Sequence, residues 1–353
     1  MDIKIKLNQP ENKIAATTTK NLAMPPPLLQ ATLAKESQAV CKNQAEAEKI
    51  AKEKKARIAA IYKELNELVG LKDIKKNIYE VQAYAEIQRR RSLENLHSEP
   101  TVLHAVFSGN PGTGKTTLAR ILARLYKEIG IISQGQLIEV ERADLVGEYI
   151  GHTAAKTKEQ VKKALGGVLF IDEAYSLARG GSKDFGREAI DVLVKAMEDH
   201  KNDFVVILAG YRDEMISFIN TNPGLNSRFP LQIDFPDYSI DELIDIADMM
   251  YQAREYCLET VAKQNLRHLL GEIIEKQPKH HGNARLVRNI VEASLRQQAV
   301  RLVEQTSVTK EELQIIKISD LPQNQVVFSR PQNQLTKQIN QHLNNCVPLF
   351  ATS

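Results

Sequence analysis

Two kinds of hydrophobic pattern alternate along the middle of the chain. Short runs of consecutive apolar residues predict strands, and longer segments with apolar positions three and four apart predict helices. The predicted strands lie near residues 102–108, 136–142, 167–172, 204–210 and 230–235. The predicted helices span residues 115–128, 154–165, 187–199 and 212–220. This alternation is typical of an α/β fold in which helices cover a parallel sheet.

The segments that flank this block have other patterns. The first 27 residues are polar with Thr and Pro runs, which predicts disorder, and a helical extension follows them. After the block, the capping-box sequence Ser-Ile-Asp-Glu at 239–242 predicts a helical domain that continues to about residue 304, with a loop near 278–282. A tail rich in Gln and Asn ends the chain. The predicted regions are therefore 1–27, 28–67, 68–236 (α/β), 237–322 (helical) and 323–353.

Composition narrows the class of protein. The chain has 353 residues, room for two or three domains, and its net charge of +3 indicates neither a nucleic-acid nor a membrane partner. No apolar run is typical of a signal peptide or a membrane helix. Cys41, Cys257 and Cys346 are few and scattered, which favours a reducing cytoplasm and neither disulfides nor a zinc site. The extension at 28–67 is basic, but we expect a solvated helix that docks on its neighbour.

The strongest chemical motif is G-N-P-G-T-G-K-T-T at residues 109–117. It fits the phosphate-loop pattern G-x-x-x-x-G-K-[ST] and lies between a predicted strand and a predicted helix, as that motif requires. Backbone N–H groups and the helix dipole attract phosphate there. Lys115 is expected to reach the β- and γ-phosphates of ATP, and the Thr116 hydroxyl to ligate Mg²⁺. The candidate nucleotide-binding residues of this loop are Gly109, Asn110, Pro111, Gly112, Thr113, Gly114, Lys115, Thr116 and Thr117.

Two adjacent carboxylates follow the apolar run at 167–172. Asp172 is expected to hold Mg²⁺ through water, and Glu173 to polarise an attacking water molecule. By itself the pair is better interpreted as acidic surface after a core strand. With a phosphate loop roughly sixty residues upstream, it favours hydrolysis over transfer to a small substrate.

Two arginines outside the loop are further candidates. Arg228 lies in a predicted turn ahead of an edge strand and could reach a γ-phosphate bound to a neighbouring subunit, although alone it is better interpreted as a surface arginine. Arg285 falls in the first turn of a helix that Asn283 could cap. An arginine at the positive end of a helix dipole favours an anionic ligand.

Gly147 and Gly151 bracket two large apolar residues, Tyr149 and Ile150. An exposed Tyr-Ile pair suits a loop that grips a partner, but from the residues alone a Tyr149 folded onto the core is slightly favoured. The adjacent histidines at 280–281 predict a solvated loop pair and not a metal site, because neighbouring side chains diverge.

The chain resembles AAA+ ATPases of the CbxX/CfqX group, which includes the red-type Rubisco activase. The resemblance covers residues 68 to about 302 and implies an AAA+ P-loop domain followed by a small α-helical lid domain. The stretches SLARGG, KDFGREAID and IDFPDYS are most similar to the sporulation branch of the group. The residues that carry the resemblance are GNPGTGKTT (109–117), RADLVGEYIGHTAAKT (142–157), GGVLFIDEAYSLARGG (166–181), LAGY (208–211), NPGLNSRFP (222–230) and GNARLVRN (282–289).

The resemblance implies a role for each matching motif. Lys115 and Thr116 serve the Walker A motif, and Asp172 and Glu173 the Walker B motif. In this comparison Arg228 is the arginine finger that acts in trans.

Four further positions follow from the same resemblance. Arg285 is the sensor-2 arginine, and Val69 and Gly70 lie where the adenine pocket begins. Tyr211 stands where many AAA+ proteins have a sensor-1 Asn, which leaves open which group orients the attacking water. Tyr149, Ile150 and Gly151 match the aromatic-hydrophobic-glycine pore loop.

The function implied is an Mg²⁺-dependent ATPase that assembles as a homo-oligomeric ring, expected to be a hexamer, and remodels a protein client. Spore formation is the favoured setting, and release of inhibitory sugar phosphates from red-type Rubisco is the alternative. The adjacent carboxylates Asp172 and Glu173 argue against a nucleotide-dependent scaffold that hydrolyses ATP slowly. A DNA-handling AAA+ protein would need a basic stripe or a β-hairpin insertion, which the α/β block lacks, so nucleic acid is disfavoured as a partner. A small-molecule kinase would leave Arg228, Arg285 and the pore loop unexplained.

Overall fold

The structure of the protein is a computed structural model. Its two units are residues 1–55 and 56–353, and the described part of the first is helical (46 and 49–55). The predictions for 1–45 and 323–353 lie outside the described residues. Those described are 46, 49–97, 102–149, 151–179, 184–201, 203–220, 223–277, 281–303, 305 and 307–322.

Two helices begin the second unit. The helical residues 56–67, here α1, bury Ile61 and Leu65, which lie four apart and therefore share one face. The break predicted after α1 is confirmed, because Leu71 has a left-handed backbone (φ 57°). Helix α2 (Lys72–Leu93) then packs Ile74 and Ile78 into the same core.

A five-stranded parallel sheet forms the centre of the α/β domain, as predicted. Its spatial order is β2-β3-β4-β1-β5. Strands β3 and β4 are buried along their whole length, which explains their uninterrupted apolar runs. The strands are β1 (Ala105–Gly109), β2 (Leu137–Val140), β3 (Val168–Ile171), β4 (Val205–Gly210) and β5 (Leu231–Phe235).

Helices cover both faces of this sheet. Alternate residues of β3 enter two different cores: Phe170 packs with α1, α2 and α3, whereas Leu169 packs with α5, α6 and α7. The helices are α3 (Lys115–Ile129), α4 (Arg142–Leu145), α5 (His152–Ala164), α6 (Gly186–Asp199), α7 (Arg212–Asn220) and α8 (Pro223–Arg228), with a 3₁₀ turn at Ala174–Ala178.

The small helical domain has a core of its own. The predicted capping box is present, since Ser239 accepts a hydrogen bond from the Glu242 N–H and the Glu242 carboxylate accepts one from the Ser239 N–H. The Tyr251 and Ser294 hydroxyls, 2.6 Å apart, tie two helices together inside it. The helices are α9 (Ile240–Gln252), α10 (Thr260–Lys276), α11 (Ala284–Val303) and α12 (Lys310–Gln314), with a 3₁₀ turn at Ile318–Asp320.

This domain also contains a parallel strand pair that was not predicted. Strand β6 (Cys257–Leu258) pairs with β7 (Ile315–Ile316), far away in the sequence. The buried Gln298 side chain donates to backbone carbonyls before and within β7 and holds it in place. Two residues are too few to show a period of two, so the sequence pattern could not reveal these strands. Within the described residues, no helix has the length and apolar character needed to cross a membrane.

Candidate functional site

The loops after β1, β3 and β4 meet at the carboxyl edge of the sheet, because these strands are neighbours and parallel. Between them and the start of α11 lies a cavity of about 290 Å³. It brings together most of the predicted site residues from both domains. Those that line it are Gly109, Pro111, Gly112, Gly114, Lys115, Thr116, Thr117, Asp172, Glu173, Tyr211 and Arg285.

Glycines allow the predicted phosphate loop to approach other backbone segments closely. Gly112 has φ +78°, and a Cβ there would lie 2.3 Å from the Gly282 carbonyl oxygen of the small domain. At Gly109 a Cβ would lie 2.4 Å from the Phe235 carbonyl oxygen. The loop is thus packed backbone against backbone on two sides, which no other residue type permits. Thr113 is buried and donates from its hydroxyl to the Asn110 carbonyl (2.8 Å).

Lys115 spans this loop. Its ammonium donates to the carbonyls of Gly109 (2.7 Å) and Asn110 (2.8 Å). Burial lowers the pKa of Lys115 to about 8; nearby Asp172 opposes this shift and Arg285 adds to it. The side chain is still mostly protonated at neutral pH. Because burial disfavours its charge, an anion bound beside it would stabilise the protonated form.

The two carboxylates after β3 lie opposite the loop. Asp172 is half-buried, and its Oδ1 accepts a hydrogen bond from the Glu173 N–H (3.0 Å). Glu173 is exposed and has a left-handed backbone (φ 47°). Such a conformation costs a non-glycine residue about 1–3 kcal/mol and is found mainly where a functional side chain must be aimed.

The oxygen groups in the cavity suit a hard cation. The Thr116 hydroxyl and the Asp172 carboxylate line the same cavity, and oxygen ligands are those that Mg²⁺ prefers. In the part of the chain that the structure describes, no group of three or more His, Cys, Asp or Glu residues could hold a metal. The donors present therefore fit Mg²⁺ that takes its other ligands from phosphate and water, not a metal enclosed by protein side chains.

Tyr211 is held at the cavity by aromatic packing. Its ring centroid lies 6.0 Å from that of Tyr175, and the Arg179 guanidinium lies 4.6 Å from the Tyr175 ring centre. Gly210 is required beside this pair, since a Cβ there would come within 2.7 Å of the Tyr175 ring. Tyr211 therefore packs against Tyr175 at the cavity, and its sensor-1 role stays a prediction.

Arg228 does not line this cavity. The segment predicted as a turn is the short helix α8, and Arg228 is its last residue. Its Nη1 donates to the Gly224 carbonyl (3.2 Å), its Nη2 lies 3.7 Å from the Glu198 carboxylate, and about one third of the side chain is exposed. Its buried Nε has no hydrogen-bond partner among the described residues. Arg228 is thus only loosely paired within its own chain.

Two cavity-lining arginines were not predicted. Arg288 lies three residues after Arg285, so the two share one face of α11, and Arg120 lies one turn after Thr116 on α3. Arg120 is paired with Glu139 (2.6 Å), whereas no ion pair engages Arg288 among the residues described. The helical spacing to Arg285 was the signal in the sequence that would have identified Arg288. Four cationic side chains and two carboxylates line the cavity, a net charge of +2 that suits a polyanion.

The segment before α11 differs from two of the predictions. The Asn283 side chain does not cap the helix: its Oδ1 accepts from the Tyr238 N–H (3.0 Å), while the N–H groups of Arg285 and Leu286 bond to the Gly282 carbonyl. His281 is buried and not solvated, with its Nε2 3.3 Å from the Asn283 Oδ1. His280 lies outside the described residues. The prediction that Asn283 caps the helix with its side chain and the prediction that His281 is solvated are therefore wrong, because both side chains are buried where the two domains meet.

Val69 and Gly70 lie next to the small domain and not in the lining of the cavity. Val69 packs against the core of that domain, and a Cβ on Gly70 would lie 2.5 Å from the Glu242 carboxylate. Gly70 also neighbours Tyr238, whose hydroxyl donates to the Thr113 carbonyl (3.1 Å). Their predicted place in an adenine pocket stays a prediction.

The Tyr149 side chain faces solvent. It is 66% exposed, and its ring meets that of His152 edge-on at 5.5 Å between centroids. The alternative that Tyr149 folds onto the core is therefore wrong. Gly151 directly precedes α5 and has φ +83°, a conformation that favours glycine, and Ile150 lies outside the described residues.

Comparisons with known proteins agree with this geometry. Residues 105–237 match the ATPase family associated with various cellular activities (AAA), and residues 239–328 match an AAA lid domain. The chain is 52% identical over 262 residues to Stage V sporulation protein K of Bacillus subtilis (strain 168), covering 74% of this chain and 81% of that protein. It is 46% identical over 242 residues to Protein CbbX of Cereibacter sphaeroides, covering 68% and 78%. A solved FIGL-1 AAA domain has the same fold (TM-score 0.51, 15% identity, covering 79% of this chain and 88% of that one).

Proposed function

Since this chain belongs to the CbxX/CfqX family of AAA+ ATPases, we propose that it is a ring-forming motor that hydrolyses ATP and remodels a protein client. One observation carries the proposal. A single cavity is lined by the phosphate loop, two carboxylates and two lid arginines, and its net positive charge suits the phosphates of a nucleoside triphosphate.

Binding of ATP rests on the phosphate loop. The N–H groups of the loop and the N-terminus of α3 receive the phosphates, and Lys115 exchanges its carbonyl partners for phosphate oxygens. Thr116 and Asp172 are the residues that would hold Mg²⁺, and a bound Mg²⁺ would supply positive charge beside the phosphates. Val69 and Gly70 border the adenine.

Hydrolysis rests on Glu173. Its carboxylate accepts the proton of the attacking water, and the strained backbone at this residue supports a fixed aim of the side chain. Tyr211, packed on Tyr175, is the group at the cavity that helps to orient that water. Arg285 and Arg288 bind the phosphate chain from the lid.

The surroundings of Arg228 support assembly of the chain into a ring. An arginine that is solvent-accessible, weakly paired and outside its own cavity is suited to a neighbour's γ-phosphate. The closed arrangement in which every site receives one such finger is a cyclic homo-oligomer, which we take to be a hexamer. The exposed Tyr149, with Ile150 and Gly151, then forms the pore loop that grips the client.

Spore formation is the setting that we favour, because identity to Stage V sporulation protein K (52%) exceeds identity to Protein CbbX (46%). Activation of a red-type Rubisco is the second candidate, and the relation to Protein CbbX supports it. Both settings are cytoplasmic. Client capture on a Glu173→Gln ring, followed by mass spectrometry, distinguishes them by whether Rubisco subunits are recovered.

The decisive test of the chemistry is the turnover of Glu173→Gln. The amide cannot accept a proton, so ATP binding should persist while kcat falls by about 10²–10⁴-fold. Glu275→Gln, an exposed change on the lid, is the matched control and should keep the wild-type rate. Wild-type turnover by Glu173→Gln would show that another group activates the water.

A further inference from the structure

The joint between the two domains contains a cluster of polar side chains that contact one another and do not line the nucleotide cavity. Asp237 lies between β5 and α9, and its carboxylate accepts hydrogen bonds from two amides. The Nδ2 of Asn110 donates to both of its oxygens (2.9 and 3.0 Å), and the Nδ2 of Asn283 donates to one of them (2.7 Å). We call Asn110, Asp237 and Asn283 the interdomain clasp.

Asn283 is the central residue of the interdomain clasp. It is fully buried and has a left-handed backbone (φ 49°), which asparagine tolerates better than most residues. Its Oδ1 accepts the Tyr238 N–H, and its Nδ2 also lies 3.4 Å from the Pro111 carbonyl oxygen. One amide side chain therefore connects the phosphate loop, the interdomain joint and the lid.

The position of the lid arginines depends on this connection. The first residue of α11, Ala284, donates its N–H to the Gly112 carbonyl of the loop (3.2 Å), directly beside Asn283. Arg285 is the next residue, and its N–H bonds to the Gly282 carbonyl. A displacement of Asn283 would move the start of α11 and carry Arg285 out of the cavity.

We propose that Asn283 and Asp237 are positioning residues that hold Arg285 against the phosphates. The inference rests on the proposed nucleotide site and deepens it, since it names the pair that couples the lid to the loop. The Asn283 amide donates to the Asp237 carboxylate, which the Asn110 amide of the phosphate loop also contacts, so this bond links the start of α11 to the loop. Loss of this bond should therefore weaken nucleotide binding through Arg285.

An exchange of the two residues tests the pair. Asn283→Asp places a second carboxylate next to that of Asp237, where the amide donor now lies 2.7 Å from it. Asp237→Asn removes the negative charge that accepts hydrogen bonds from the amides of Asn110 and Asn283. Each single variant should weaken binding of a fluorescent non-hydrolysable ATP analogue about tenfold, since bonds to charged groups are the stronger ones. The Asp237→Asn/Asn283→Asp double variant restores one amide and one carboxylate at these two positions and should bind more tightly than Asn283→Asp, although the bonds of Asn110 to the Asp237 carboxylate are not restored.

A second cycle asks whether Asn283 acts through Arg285. In an Arg285→Ala background, Asn283→Asp should add little to the loss of affinity, because the group that it positions is already absent. Asp245→Asn, an exposed change on α9, is the matched control. Melting temperatures of all variants report folding, and if Asn283→Asp does not fold, Asp237→Asn carries the test.

The outcomes separate the inference from the proposed function. Wild-type affinity in both single variants, absence of rescue in the exchange, or full additivity with Arg285→Ala would each overturn the interdomain clasp alone. Wild-type affinity of Arg285→Ala would remove the proposed nucleotide role of Arg285 itself, and the inference with it.

Discussion

The end of α8 and the start of α11 each present an arginine, but to different surroundings. Arg285 lines the cavity of its own chain beside Lys115, whereas Arg228 lies outside that cavity with one weak ion pair and a buried Nε that has no described partner. A complete cationic set around a triphosphate would thus need residues from two copies of the chain. In the proposed function, one chain alone can therefore bind nucleotide, whereas fast hydrolysis requires an arginine from a second copy.

Loss of Lys115 should have the largest effect, because both arginines depend on a bound nucleotide. Lys115→Ala removes the partly buried ammonium from the phosphate loop and should weaken ATP binding by about 100-fold or more. Titration with a fluorescent ATP analogue measures it, and Lys127→Ala on the exposed face of α3 is the control. Retained affinity in Lys115→Ala would place the nucleotide elsewhere.

Loss of Arg228 should have the second-largest effect, and this effect should be on the rate of ATP turnover only. Arg228→Ala should lower kcat on the order of 10³-fold and leave ATP affinity intact, as expected of an arginine finger. In rings mixed with wild-type subunits, the variant should depress activity more than in proportion to its share, since its finger serves a neighbour. Arg254→Ala in the lid is the control. Activity strictly proportional to the wild-type fraction would sink the assignment in trans.

Like Arg285, Arg288 should contribute to ATP binding in its own chain. The effect of losing Arg288 should be smaller than that of losing Arg228. Arg288→Ala removes one exposed cation from the cavity lining and should weaken ATP binding about tenfold. Mixed rings should then lose activity only in proportion to the variant fraction, because the residue serves its own site. A disproportionate loss on mixing would erase the distinction between the two arginine-bearing regions.

Tyr149 should show the smallest effect on the folded protein. Its side chain is exposed and, in the proposed function, contacts the client and not the nucleotide, so Tyr149→Ala should change stability by less than about 0.5 kcal/mol. ATP hydrolysis should persist while client remodelling is lost. The buried Tyr251→Ala is the contrast and should cost about 3–5 kcal/mol. A large drop in the melting temperature of Tyr149→Ala would contradict a pore-loop role.

Sequence patterns predicted the sheet and the cavity well, for physical reasons. Buried parallel strands must be apolar along their whole length, and the loops after them meet at one edge, so most of the residues predicted from the phosphate loop, the carboxylate pair and Arg285 converge. The two-residue strands β6 and β7 left no such pattern. Local sequence rules also could not predict the roles of Asn283 and His281. Asn283 accepts a hydrogen bond from the Tyr238 N–H, which is 45 residues away in the sequence. His281 is buried beside Asn283 at the joint between the domains.

Gly112 has a consequence for loop transplantation between P-loop proteins. The phosphate-loop pattern leaves this position unspecified, so phosphate chemistry alone does not require glycine there. In this chain the requirement comes from the lid, whose Gly282 carbonyl oxygen would lie 2.3 Å from any added Cβ. A donor loop with a side chain at this position would satisfy the motif and still push the lid away, so a graft must be chosen to suit the lid as well as the nucleotide.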